Sequence, residues 1–281
     1  MSSQNSYLSS NVVINGSRDR SILIDIRKPK KVARGTILFL HGFKGFKDWG
    51  TFNLISDYFA NMGYTFVKFN FSYNGGTIEH PIDFPDEQAF GENNYSTELN
   101  DLSLVIDFLE KENWIEHSLT LIGHSRGGGI AILGAAEDER VNNLVTLAAV
   151  SDFSNRMPDY KAIKTWELTG VRYILNGRTK QNLPMFFQFY QDFEKNKNRL
   201  DIQRAVRQIE IPFLIIHGEL DETVKVDEAM QLKENCSQAK LEIIPNANHT
   251  FNGYHPYDIN QLPKETEIAV NTILKFLESI D

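Results

Sequence analysis

The chain has one cysteine, Cys236, in 281 residues. A single thiol cannot close an internal disulfide, so packing must hold the fold, and a reducing cytoplasm is the expected compartment. The surrounding segment, KENCSQAK, is polar and reads as a helix end rather than a reactive thiol. Excess positive charge is also missing. The chain has 29 Lys and Arg against 37 Asp and Glu, a formal charge of −8, which disfavours nonspecific attraction to nucleic acid or an anionic membrane. No stretch approaches the roughly 20 apolar residues of a membrane helix, and the opening MSSQNSYLSSNVV lacks the basic and apolar regions of a signal peptide. A soluble protein is expected, with no membrane and no nucleic acid among its partners. A His/Cys/Asp/Glu cluster at metal-ligand spacing is absent, and the GRTK beginning at Gly177 lacks the preceding spacing of a phosphate-binding loop. Neither a metal nor a cofactor is expected.

At 41% hydrophobic residues, the chain can build a sizeable core. Short apolar runs recur at Thr36–Leu40, Thr65–Phe71, Leu119–Ile122, Leu144–Ala149, Phe213–Ile216 and Leu241–Ile244. Continuous runs of this length suit strands covered on both faces. Segments of helical period separate them: Phe52–Asn61, Glu98–Glu110, Ile130–Ala136, Val226–Asn235 and Glu265–Ile280. In the second, Leu102, Val105, Ile106 and Leu109 form one apolar stripe. Such alternation predicts an α/β fold with a mostly parallel sheet and right-handed crossovers. Asn11–Asn15 and Ser21–Arg27 alternate as antiparallel edge strands would.

The alternation stops between 151 and 211. This segment holds no convincing strand, is rich in aromatics and carries 11 basic against 7 acidic side chains. It is too long for a plain loop and predicts a helical cap inserted into a core formed by residues 1–150 and 212–281.

One turn carries a chemical signal. LTLIGHSRGGGIAI, residues 119–132, places Gly123-His124-Ser125-Arg126-Gly127 between a strand and a helix. A nucleophile on such a tight turn needs small residues two positions to either side, and the helix N-terminus beside it favours developing negative charge. A glycine-rich loop allowing close helix–strand packing is the plainer alternative, and the strand–turn–helix context favours the nucleophile.

A serine hydroxyl needs a histidine base, and the histidine a carboxylate. Two later strands run into HGELDETV and PNANHTFNG, placing Asp221 and His249 beyond strand carboxyl ends, where open parallel sheets gather their sites. The order Ser125, Asp221, His249 is one that hydrolases use. Among the other histidines, His80 and His117 lie in polar connections and His255 closely follows His249. His41, His124 and His217 end strands and read as packing residues, with His124 pointing away from Ser125. Glu219 and Glu222 flank Asp221 as surface residues or substitutes. In FLHGFKGFKDW, the Phe43 amide is a candidate to join the Arg126 amide in an oxyanion hole, the alternative being a glycine turn with Phe43 and Phe46 in the core.

HGF, GHSRGG, HGELDETV and NANHTF together resemble the α/β-hydrolase superfamily over nearly the whole chain, and within it the small serine carboxylesterases of the feruloyl and cinnamoyl esterase type. The resemblance implies a doubly wound sheet with a cap after the sixth strand. It also implies catalytic roles for Ser125, Asp221 and His249, oxyanion amides at Phe43 and Arg126, and a small-molecule ester as substrate. The chain is similar too to the catalytic domain of prolyl-oligopeptidase-like peptidases, with no propeller expected ahead of it. Dienelactone hydrolases place cysteine where Ser125 stands. A peptidase or thioesterase with the same three residues, or a non-catalytic ligand-binding relative, are the alternatives. Two features are less typical of the esterases: the long polar and aromatic loop Ser72–Ser96, and Lys44 and Lys47 beside the candidate oxyanion loop, which are expected at the surface.

Overall fold

The computed structural model describes residues 6–280, with side chains from residue 11 onward. Its core is an eight-stranded sheet. The strands are β1 (Ser6–Asn15), β2 (Ser21–Pro29), β3 (Thr36–Leu40), β4 (Thr65–Asn70), β5 (Leu119–His124), β6 (Val141–Leu147), β9 (Phe213–Gly218) and β10 (Lys240–Ile244), in the order β1-β2-β4-β3-β5-β6-β9-β10. The β1–β2 and β2–β4 pairings are antiparallel and the rest parallel. β2 therefore pairs on both sides, and of the two strands expected at an edge only β1 is one, β10 forming the opposite edge of the sheet. The apolar stretch Ser21–Arg27 lies inside the sheet for that reason.

Period-two alternation sorts each strand's residues to opposite faces. Leu38 and Leu40 of β3 join one core, under α3 (Tyr95–Lys111), α4 (Arg126–Glu137) and α8 (Val226–Asn235); Ile37 and Phe39 join the other, under α1 (Phe52–Asn61) and α9 (Lys264–Glu278). Completely burying one such aliphatic side chain stabilises the fold by about 1.5–3 kcal/mol, so a strand apolar on both sides ties both helix layers to the sheet.

Local chemistry sets the helix boundaries. α3 starts three residues before the apolar stripe predicts because the Asn94 side chain accepts the Thr97 amide at 2.8 Å, satisfying a free N–H of the first turn. α4 starts at Arg126 and contains three successive glycines, poor helix formers. Close packing requires them: a Cβ on Gly127 would sit 2.5 Å from the His41 carbonyl oxygen and 2.6 Å from that of Leu40. The polar stretch after β4 is not all loop. It contains α2 (Glu87–Glu92), capped by Asp86, and its Phe84 and Phe90 are buried against Phe46 and Leu183.

The segment between β6 and β9 differs from the expected helical insertion. It holds α5 (Tyr160–Thr169), α6 (Gln188–Lys195) and α7 (Ile202–Val206), and also an antiparallel hairpin of β7 (Val171–Leu175) and β8 (Asn182–Phe186). Pro184 and the two-sided exposure of β7 hid the alternation on which a strand reading depends.

Candidate active site

Ser125 sits on the turn from β5 into α4 with φ 56° and ψ −122°, a strained backbone for a side-chain-bearing residue. Its amide donates to the Leu147 carbonyl at 2.9 Å, and its own carbonyl accepts from Gly128 at 2.9 Å. These bonds hold the turn. Glycine at 123 is required because a Cβ there would collide with the Gly127 backbone, and at 42 because it would lie 2.9 Å from the Ser125 Cβ. The loop after β3 thus runs directly against the serine.

The three side chains expected to meet do so. His249 Nε2 lies 3.0 Å from Ser125 Oγ, and His249 Nδ1 lies 2.7 Å from Asp221 Oδ2. An ionised carboxylate only accepts, so Nδ1 carries the proton and the neutral ring presents its Nε2 lone pair to the serine hydroxyl. Asp221 is held ionised. Burial alone would raise its pKa, but contacts from His217 and His249, with the Val224 amide, drive it well below the usual carboxylate range. Its Oδ1 accepts the amides of Thr223 and Val224 at 2.8 and 2.9 Å.

Two histidines read as packing residues do more than pack. His124 is buried, and its Nε2 lies 2.9 Å from the His249 carbonyl. A carbonyl only accepts, so His124 donates and fixes the backbone of the loop bearing the imidazole. Burial, with the nearby His249, lowers its pKa to about 3 and keeps it neutral. His217, wholly buried, donates from Nε2 to the Val224 carbonyl at 2.8 Å, with Asp221 Oδ2 only 3.3 Å away. Strand-end position signalled neither role, since the contacts depend on which way two loops return. Glu219 accepts the Asn246 amide at 3.1 Å, and the carboxylate that meets the His249 ring is that of Asp221. His255 Nδ1 accepts the Gly50 amide at 2.9 Å, apart from the Ser125 cluster.

Phe43 follows β3, and Arg126 is the first residue of α4, whose N–H has no earlier turn to bond. No backbone hydrogen bond occupies the Phe43 amide among the described residues. The Arg126 guanidinium is 3.9 Å from the Phe43 ring centre and 3.3 Å from Glu98 Oε1. Burial pushes the Glu98 carboxyl above its ordinary pKa despite Arg126 and a bond from Asn93.

Lys47 is a correction to the surface expectation. It is 2% exposed and reaches Asp25 at 2.8 Å and Asp48 at 2.5 Å, while the buried Lys68 of β4 reaches Asp25 at 2.7 Å and also Asp48. This two-lysine, two-aspartate group ties the loop carrying Phe43 to β2 and β4. Burial raises the Asp25 pKa, but Lys68 and Lys47 outweigh it and bring the carboxyl down to about 2. Lys44, half-buried, is only partly shielded and lies over the Phe43 ring.

The serine opens into a cavity of about 530 Å³ walled by Phe43, Trp49, Phe52, Tyr95, Phe153 and Trp166 among others. Among the described residues no group of three or more His, Cys, Asp or Glu side chains is placed to hold a metal ion, and no helix is long and apolar enough to cross a membrane.

A doubly wound sheet with this serine at the β5–α4 turn defines an α/β hydrolase. Residues 50–275 match the model of the prolyl oligopeptidase family, and the chain belongs to that family. Its fold is shared with Est1E from Butyrivibrio proteoclasticus, solved with ferulic acid bound (17% identity, TM-score 0.71, covering 95% of this chain and 98% of that one). It is shared also with alpha/beta hydrolase domain-containing protein 10 from mouse (16%, 0.68, 97% and 100%) and with the alpha/beta hydrolase GrgF from a Penicillium species (16%, 0.69, 97% and 98%). No curated protein sequence matches.

Proposed function

We propose that this hydrolase cleaves carboxylic esters through an acyl-enzyme on Ser125. The carrying observation is the continuous contact from Asp221 through His249 to Ser125, at 2.7 and 3.0 Å. In this reading, His249 takes the hydroxyl proton as Ser125 attacks the acyl carbonyl, and Asp221 stabilises the imidazolium. The Phe43 and Arg126 amides donate to the oxyanion. His249 returns the proton to the leaving alkoxide, the C–O bond breaks, and water, activated by the same imidazole, releases the acid.

The segment 151–211, acting as a cap, would select the acyl group, with Trp166, Met185 and Phe189 lining the cavity. The ester reading over the peptidase reading is supported by the fold shared with Est1E, whose bound ligand is an aromatic acid. The family also contains peptidases, and they would use the same three side chains.

A fluorophosphonate probe should label the folded protein and leave Ser125→Ala unlabelled. Relative kcat/KM on 4-nitrophenyl esters, acyl-CoA thioesters and aminoacyl amides then separates the three chemistries. Failure to label the wild-type protein, with an unrelated serine esterase labelled alongside, ends the proposal.

A further inference from the structure

The cavity beside Ser125 is lined by five basic side chains, Lys44, Arg126, Arg156, Arg172 and Arg178, and by no aspartate or glutamate. This imbalance sits in a chain whose formal charge is −8. Three of the five have carboxylate partners behind the wall: Arg126 with Glu98, Arg156 with Glu228 and Arg178 with Asp83. Lys44 and Arg172 have none among the described residues. Lys44 Nζ bonds only the Leu175 carbonyl, at 3.4 Å, and the Arg172 guanidinium lies 5.3 Å from the Trp166 ring centre.

The two cations line the same cavity from different elements. Lys44 rises from the loop after β3 and touches the end of β7, while alternate residues of the hairpin, Arg172, Ile174 and Asn176, face the cavity. Lys44 and Arg126 also flank one ring, at 5.8 and 3.9 Å from the centre of Phe43. Burial and the neighbouring Arg126 push the Lys44 ammonium below its ordinary pKa, as expected for a cation lacking a counter-charge. A half-buried cation without an anion is unfavourable, and a ligand that brings the missing charge relieves that cost.

We propose that this cavity selects an anionic substrate, an ester carrying a carboxylate that Lys44 and Arg172 hold while its acyl carbonyl lies at Ser125. The inference rests on the ester-hydrolase reading and narrows its substrate class. A substrate with a free ammonium at the same place meets only like charge and is disfavoured.

Two matched pairs test it. In the first, the charge is on the acyl half: 4-nitrophenyl hydrogen glutarate against its neutral methyl ester. In the second, it is on the alcohol half: 3-acetoxybenzoate against methyl 3-acetoxybenzoate. The expected result is a preference in kcat/KM of about tenfold or more for the charged member of one pair, corresponding to one charge-assisted contact. The preference should shrink as salt screens the cavity mouth. Lys44→Met and Arg172→Met should each lower the charged-to-neutral ratio, and Arg172→Lys should retain most of it. Equal kcat/KM in both pairs, or a ratio untouched by both methionine variants, overturns the proposal.

A readout independent of turnover uses Ser125→Ala. Glutarate should raise its Tm by mass action, and glutaramide should not. If no ester is cleaved but glutarate stabilises this variant, the hydrolase reading fails and the anion site stands. If neutral esters are cleaved and glutarate does nothing, the anion site fails alone.

Discussion

His124 donates to the backbone carbonyl of His249 at 2.9 Å, so the residue before the serine holds the loop that carries the base. This bond holds the His249 backbone, while the ring donates from Nδ1 to Asp221 and accepts at Nε2 from the Ser125 hydroxyl, so the imidazole is fixed from both ends. His124→Ala should lower kcat by about tenfold to a hundredfold, the range expected when a reacting group shifts by an ångström or less. His124→Gln, which can restore an N–H near the same point, should recover much of the loss. Steady-state kinetics on a neutral ester checks this. An alanine variant with wild-type kcat would show that the loop needs no such tie.

Ser125→Ala should reduce kcat by about 10⁶-fold and Asp221→Asn by about 10⁴-fold, as when a residue of a nucleophile–base–carboxylate unit is removed. The asparagine variant should stay folded, because its side-chain oxygen can still accept the Thr223 and Val224 amides. Single-turnover assays with circular dichroism distinguish lost chemistry from lost fold.

Stability should fall as the medium is acidified, in two windows. His124 and His41 are buried with pKa values lowered to about 3 and about 4, burial being the main cause in each. Between about pH 6.5 and those values the unfolded chain binds protons that the folded one refuses, so each contributes a loss of at most about 1.4 kcal/mol per pH unit. Asp25, lowered to about 2, and Asp221, lowered further, act in a second window below about pH 4, where the unfolded carboxylates protonate first. Denaturant midpoints measured from pH 7 to pH 4 check the first window. A flat profile would show that the two imidazoles titrate normally.

Lys68→Met should cost about 3–5 kcal/mol, since it leaves Asp25 and Asp48 short of a buried counter-charge. Replacing Lys68 and Asp25 together by apolar residues should cost less than the sum of the single changes. Urea unfolding of the two single variants and the double variant measures this coupling.

The sequence revealed the sheet, most of its helices and the three side chains that meet at Ser125, because each sits where a local rule operates. Apolar runs between helical stripes mark buried strands, and glycines around Ser125 mark a turn with no room for side chains. What stayed hidden depends on returns of the chain in space. Lys47 looks like a surface residue until Asp25 and Asp48 are seen around it, and His124 and His217 look like packing until the loops bearing His249 and Val224 fold over them. The β7–β8 hairpin escaped because Pro184 interrupts one strand and exposure on both sides erases the alternation in the other. The cationic lining emerges only when residues 44, 126 and 172 are brought to one wall.

β6 and β9, which bracket the 151–211 segment, are hydrogen-bonded neighbours running in the same direction. The polypeptide therefore leaves the framework at the carboxyl end of β6 and must cross to the opposite end of the strands to begin β9, a return made through α7, whose Ile202, Ala205 and Val206 are buried in the core. Exchanging only the outer part of this excursion, the α5 helix and the β7–β8 hairpin, for another of different lining would alter which molecules are admitted, while the strained serine on its turn and the imidazole on its loop keep their own supports.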